Sequence, residues 1–220
     1  ALFDGLEISQ DPSYEKYINS YPVIYLDITL FISRGENIKD IVKHINDEVM
    51  EEVAVIFGEE IRGTDLAETL IRAAKSSGKK FIMIIDEWDA LFREAKDDYD
   101  LQREYISFLR GLFKSSWTDH IFEAAYITGI LPIKKYGTQS AMTDFREYTM
   151  LAPRKLAEYV GFTETEVKTL CREHGMDFAE MQKWYDGYTF SRVKSVYSPN
   201  SVMEAVKNEE IGNYWTQSET

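Results

Sequence analysis

Apolar residues come in two rhythms along this chain: short continuous runs, and wider stripes spaced for a helix. A short continuous run suits a strand buried on both faces, as in the middle of a parallel sheet, whereas an i, i+3, i+4 stripe marks one buried face of a helix. The first run lies in YPVIYLDIT (residues 21–29), the second in KKFIMIIDEWDAL (79–91) and the third in IFEAAYITGI (121–130). Between the first two, Ile38, Ile41, Val42, Ile45, Val49 and Val53 predict a helix from Asn37 to Phe57. A second helix follows over Asp65–Ser76, with Thr64 as its N-cap and Gly78 as its stop. After the second run, Leu101, Tyr105, Phe108, Leu109, Leu112 and Phe113 form another helical stripe. A polar loop is expected over Pro132–Asp144, and Phe145–Leu151 is compatible with a fourth strand. The order strand, helix, strand, helix, strand implies βαβ crossovers and a parallel sheet, so the fold class is α/β.

Beyond Pro153 the pattern changes to short helices with explicit start signals. Thr163 and Glu166 form a capping box, flanked by Phe162 and Val167 as a hydrophobic staple, and Asp177 opens a second helix in the same way. Asp186-Gly187 in WYDGY is expected to pivot a turn, and Ser198-Pro199 caps and starts a last helix. The expected division is therefore residues 1–151 as an α/β core and residues 152–220 as a small, mainly helical, lid-like module.

Composition narrows the setting. With 220 residues and 44% hydrophobic content the chain is long enough for a packed core. No run approaches the length of a membrane span, the first residues do not read as a signal peptide, and a single cysteine, Cys171, excludes an internal disulfide. These features fit a protein of the reducing cytoplasm. His44, His120 and His174 are scattered, which argues against a His/Cys zinc site. A net charge of −13 opposes direct nucleic-acid binding, and the Lys134–Lys135 pair is too small a patch to reverse it.

Candidate chemistry sits where the second run ends, at Asp86 and Glu87. The carboxyl ends of parallel strands form the ligand crevice of open α/β sheets. In a nucleotide-hydrolysing protein of this class, an aspartate here orients Mg²⁺ and the neighbouring glutamate polarises the attacking water. The plainer alternative stays open: a strand turns polar as it reaches the surface, and Asp89 caps the next helix. Thr128, ending the third run, adds a hydroxyl able to sense a γ-phosphate or its water, and Gly129 permits close backbone approach. No G-x-x-x-x-G-K-S/T loop occurs in the 220 residues, so no residue is assigned to phosphate binding.

The segments LFDGLEIS (2–9), YPVIYLDIT, FIMIIDEWDALF (81–92), YITGILPI (126–133), GFTETEV (161–167), WYDGYTF (184–190) and VYSPNSV (196–202) together resemble the AAA-ATPase-like family of bacterial proteins, in the STAND-like branch of P-loop ATPases. The resemblance implies a P-loop NTPase-type core whose Walker A strand, loop and helix precede LFDGL. It also implies an attached domain similar to PD-(D/E)XK nucleases beyond NYWTQSET (213–220). Asp86 and Glu87 match the Walker B pair and Thr128 the sensor position. Arg93 and Arg146 are expected at the surface. A sheet without its first strand would expose an apolar slot, favouring a homo-oligomer or aggregation.

Two functions follow as expectations. One is a switch domain that binds and hydrolyses ATP with Mg²⁺ in the intact protein and is idle as these residues alone. The other is a non-catalytic module that regulates an attached nuclease-like domain or a protein partner. WYDGY is read as packing of the small module, with an aromatic recognition patch as the alternative.

Overall fold

The computed structural model describes residues 2–35, 37–131 and 145–215. The expected loop over Pro132–Asp144, with its Lys134–Lys135 pair, and the last five residues of NYWTQSET lie outside them. The chain divides into two compact units, residues 1–145 and residues 146–220.

The first unit is α/β. Its three strands, β1 (Val23–Asp27), β2 (Phe81–Asp86) and β3 (Phe122–Ile127), are parallel and ordered β1-β2-β3. The run with the purest apolar character, Phe81–Ile85, is the central strand. The longer helices between strands are α1 (Ile28–Arg34), α2 (Ile41–Phe57), α3 (Leu66–Ser77), α4 (Ala90–Glu94) and α5 (Tyr99–Phe113), and a single helical turn, Thr118–Ile121, leads into β3. The stripe on α2 is buried as its spacing requires, through Ile41, Val42, Ile45, Val49, Val53 and Ala54. That face joins Leu66, Leu70 and Ala73 of α3, Tyr105, Leu109 and Leu112 of α5, and Ile24, Leu26, Phe81, Met83 and Ile85 of the sheet in one core.

The two sheet faces differ. In register, Tyr25, Ile84 and Tyr126 share the face away from that core, and Tyr25 and Tyr126 remain 56% and 62% exposed. Further along the same row, Asp27 aligns with Asp86. The strand ends therefore carry carboxylates on the open face of the sheet.

Three local expectations are corrected. The N-cap of α3 is Asp65, whose carboxylate accepts the Glu68 amide at 2.8 Å. Thr64 lies one residue outside the helix and gives its amide and hydroxyl to the Glu68 carboxylate, so the capping pair sits one position later than expected. Phe145–Leu151 forms no strand: Phe145 packs edge-on against Phe113, and the Ala152 amide folds back on Thr149 just before Pro153. A turn closed by a side-chain acceptor and followed by proline leaves no ladder to extend. At WYDGY, Asp186-Gly187 is extended backbone and not a turn.

The second unit is small and mostly helical. It contains α6 (Glu164–Glu173), α7 (Phe178–Tyr185) and α8 (Pro199–Asn208), beside a short antiparallel sheet ordered β4-β6-β5, where β4 is Phe162–Thr163, β5 Asp186–Tyr188 and β6 Val196–Tyr197. Chain reversal occurs between Phe190 and Val193, whose backbones bond at 2.7 Å, because Asp186 pairs with Tyr197 straight out of α7. The capping box of Thr163 and Glu166 is formed, and Asp177 and Ser198 cap α7 and α8. Val167, Cys171, Met181, Tyr185, Tyr197 and Val202 make a core of its own. Tyr185 is the buried member of WYDGY and exchanges hydrogen bonds with the Gly212 backbone, while Trp184 and Tyr188 stay 40% and 46% exposed.

Candidate functional site

Two chain segments meet at the C-terminal ends of β2 and β3: Asp86-Glu87-Trp88-Asp89 and Thr128-Gly129-Ile130-Leu131. Backbone bonds stitch them together, from the Thr128 amide to the Ile85 carbonyl at 2.9 Å and from the Trp88 amide to the Thr128 carbonyl at 3.0 Å. Asp86, Glu87 and Thr128 are thus brought into one cluster, as their places at neighbouring strand ends suggested.

The Asp86 carboxylate is oriented from both sides. Its Oδ1 accepts the Thr128 hydroxyl and, at 3.1 Å, the Glu87 amide; its Oδ2 accepts the Tyr25 hydroxyl at 2.9 Å. These hydroxyls, Thr128 first and then Tyr25, hold the Asp86 carboxyl below the ordinary carboxylate range, outweighing the opposing effect of burial. The same bond to Asp86 is the leading cause that raises the Tyr25 phenol above its usual value. Asp86 is therefore a fixed anion at neutral pH.

Glu87 adopts φ +51°, a left-handed conformation that costs a non-glycine residue about 1–2 kcal/mol. Its amide is held by Asp86 and, at 3.4 Å, by the Thr128 hydroxyl, while its carbonyl accepts the Ala90 amide at 2.8 Å. Strain of this kind persists only where surroundings over-determine the backbone, and it concentrates at functional sites. The Glu87 carboxylate is gripped by Arg93 Nη2.

Asp89 occupies the N-cap position of α4 but its side chain makes no cap bond. It is wholly buried and accepts the amides of Ile130 at 3.2 Å and Leu131 at 3.0 Å. Arg93 Nε lies 3.3 Å from Asp89 Oδ2, within ion-pair reach though off the line of a hydrogen bond. Gly129 explains why the segments fit so closely: a Cβ there would stand 2.4 Å from Asp89 Oδ1 and from Trp88 Cδ1. Trp88 is buried, 5.3 Å from Phe92 between ring centres.

Sequence reasoning missed Tyr25, and it placed Asp89 as a helix cap and Arg93 at the surface. Arg93 is partly buried and bridges two carboxylates. The Asp89–Arg93 spacing of four was a legible i, i+4 signal. Arg146 is exposed.

The donor set suits a magnesium–nucleotide complex in one respect. Asp86 presents a hard, ionised carboxylate whose Oδ2 keeps a lone pair beyond its bond to Tyr25, and Mg²⁺ ordinarily takes one or two carboxylates plus waters and phosphate oxygens. Among the described residues no group of three or more His, Cys, Asp or Glu is placed to hold a metal alone. No helix among them is long and apolar enough to cross a membrane.

Residues 1–138 match the AAA-ATPase-like family, whose description is a predicted AAA-ATPase. No curated protein and no solved structure matches the chain.

Proposed function

The chain belongs to the AAA-ATPase-like family, and from that premise we propose that its first unit is the Mg²⁺-dependent ATP-binding and ATP-hydrolysing switch of the intact protein. The observation that carries this reading is the Asp86–Thr128–Glu87 cluster: a fixed anion, a hydroxyl bonded to it and a strained glutamate, all at adjoining parallel strand ends. Mg²⁺, when bound, would neutralise charge on the phosphates, and Asp86 would hold it through an oxygen that Thr128 and Tyr25 keep oriented. Glu87 would polarise the water that attacks the γ-phosphate, and Thr128, bonded to Asp86, would report the state of that phosphate. In this reading the first unit is the nucleotide core and the second, residues 146–220, a lid-like module.

The test is steady-state ATP hydrolysis and nucleotide binding by the intact protein. Glu87→Gln is expected to retain Mg²⁺-ATP binding and to lose hydrolysis by on the order of 10²–10⁴-fold, the usual worth of a general base. An intact wild-type protein that neither binds nor hydrolyses ATP refutes the proposal.

A second reading has its own support in the exposed Trp184 and Tyr188 of WYDGY. In it, the chain is a regulatory module acting on an attached nuclease-like domain or a protein partner. It expects cellular function to survive Glu87→Gln and to fail when Trp184 and Tyr188 are replaced.

A further inference from the structure

Arg93 links two carboxylates of opposite character. Asp89 is sealed from solvent and committed to the Ile130 and Leu131 amides, so it cannot move without unmaking the contact between the two segments. Glu87 is partly exposed, with 38% of its side chain open to solvent, and its carboxylate is held by Arg93. A guanidinium is a planar fork able to serve both at once, whereas an ammonium is a single point charge. Arg93 sits in the last turn of α4, a five-residue helix that starts directly after Asp89, so the geometry between the two acids is set by one short element. A second buried group reports the same charge: the wholly buried Tyr105 phenol is raised by desolvation first and then by Asp89.

We infer that Arg93 is a positioning residue for Glu87: anchored on the buried Asp89, it fixes the direction of the Glu87 carboxylate, and Asp89 ties that direction to the segment carrying Thr128. The two strand ends thereby act as one unit. A shift of Thr128-Gly129-Ile130-Leu131 is carried through Asp89 and Arg93 to Glu87 without any contact between Thr128 and the Glu87 carboxylate. This rests on the proposed ATPase role of Glu87 for its kinetic consequence, but its structural content stands apart from that role.

The decisive variant is Arg93→Lys, which keeps a cation beside Asp89 and cannot grip both acids. In the intact protein, kcat for ATP is expected to fall roughly 10- to 100-fold, the scale of a misplaced catalytic group, with KM and nucleotide affinity unchanged. In a Glu87→Gln background the same substitution is expected to change nothing further. A drop of equal size in that background, or a rise in KM with kcat intact, overturns the inference, since Arg93 would then act on the nucleotide directly. Crystal structures of wild type and Arg93→Lys supply a readout that needs no turnover: Glu87 should leave its position in the variant while Asp89, Ile130 and Leu131 keep theirs. An unmoved Glu87 carboxylate overturns the inference whether or not the protein hydrolyses ATP. Absence of turnover in wild type refutes the proposed function alone. Should Arg93→Met be compared and fail to fold, the lysine variant still decides.

Discussion

The strand-end cluster and the helix starts of the second unit face the same physical problem, backbone amides without partners, and answer it in opposite ways. In residues 146–220 the answer is local: Thr163 serves the Glu166 amide, Asp177 those of Ala179 and Glu180, and Ser198 that of Ser201, all within three residues. At the strand ends Asp89 stands at an N-cap position but its carboxylate bonds no amide of its own helix, reaching instead amides 41 and 42 residues away. Local closure secures one helix and leaves its neighbours alone. Long-range closure makes two segments interdependent, and a satisfied polar network of this kind rigidifies them together.

The comparison breaks most visibly at Asp89. Asp89→Ala removes the acceptor of two amides and the anion beside the partly buried Arg93, and losing hydrogen bonds to a charged acceptor costs on the order of 1.5–3 kcal/mol. Urea unfolding of the chain should show that loss, and hydrogen exchange should open both Trp88 and the 129–131 amides together. Exchange that rises at only one of the two segments would show that they are not one unit.

Thr163→Ala tests the other side. Loss of an N-cap costs about 1 kcal/mol, and the effect should be confined to α6 and its contacts within residues 146–220. Amide exchange is expected to rise in the first turn of α6 with no change at the strand ends. A response at Trp88 or Thr128 would erase the distinction between local and long-range closure.

That distinction also explains what the sequence disclosed. The three parallel strands, the α2 stripe and the capping box were legible because each is written in residues a few positions apart: Val49 reports on Val53, and Thr163 on Glu166. Asp86 and Glu87 were legible because an apolar run that ends in two acids names its own strand end. Asp89 was not, because a helix-start position followed by Ala90 and Leu91 reads as an ordinary cap, and only folding brings Ile130 and Leu131 to it. Tyr25 was hidden for the same reason, since its partner Asp86 lies 61 residues on. Phe145–Leu151 was misread in the other direction: its apolar content suggested a strand, but Thr149 and Pro153 impose a turn that composition alone does not weigh. The family match covers residues 1–138 and thus the whole strand-end cluster, while the second unit rests on its own local signals.

The smallest expected effect is on acid stability and isolates Asp86. Its carboxyl is held below the ordinary range by the Thr128 and Tyr25 hydroxyls, so the folded state favours the charged form more than the unfolded state does. The stabilisation from this group is therefore fully present above the unfolded carboxylate value of about 3.9 and is lost as pH falls through the lower folded value. The stability difference between wild type and Asp86→Asn should be constant near neutrality and shrink below about pH 4. Thr128→Val removes the larger of the two causes and should move that loss to higher pH, whereas Tyr25→Phe should move it less. The whole effect is modest because the carboxylate is partly open to water, which screens it. A carboxyl resonance of Asp86 that titrates at the ordinary value in wild type would show that Thr128 and Tyr25 do not preorganise it, and the long-range side of the comparison would then rest on Asp89 and Arg93 alone.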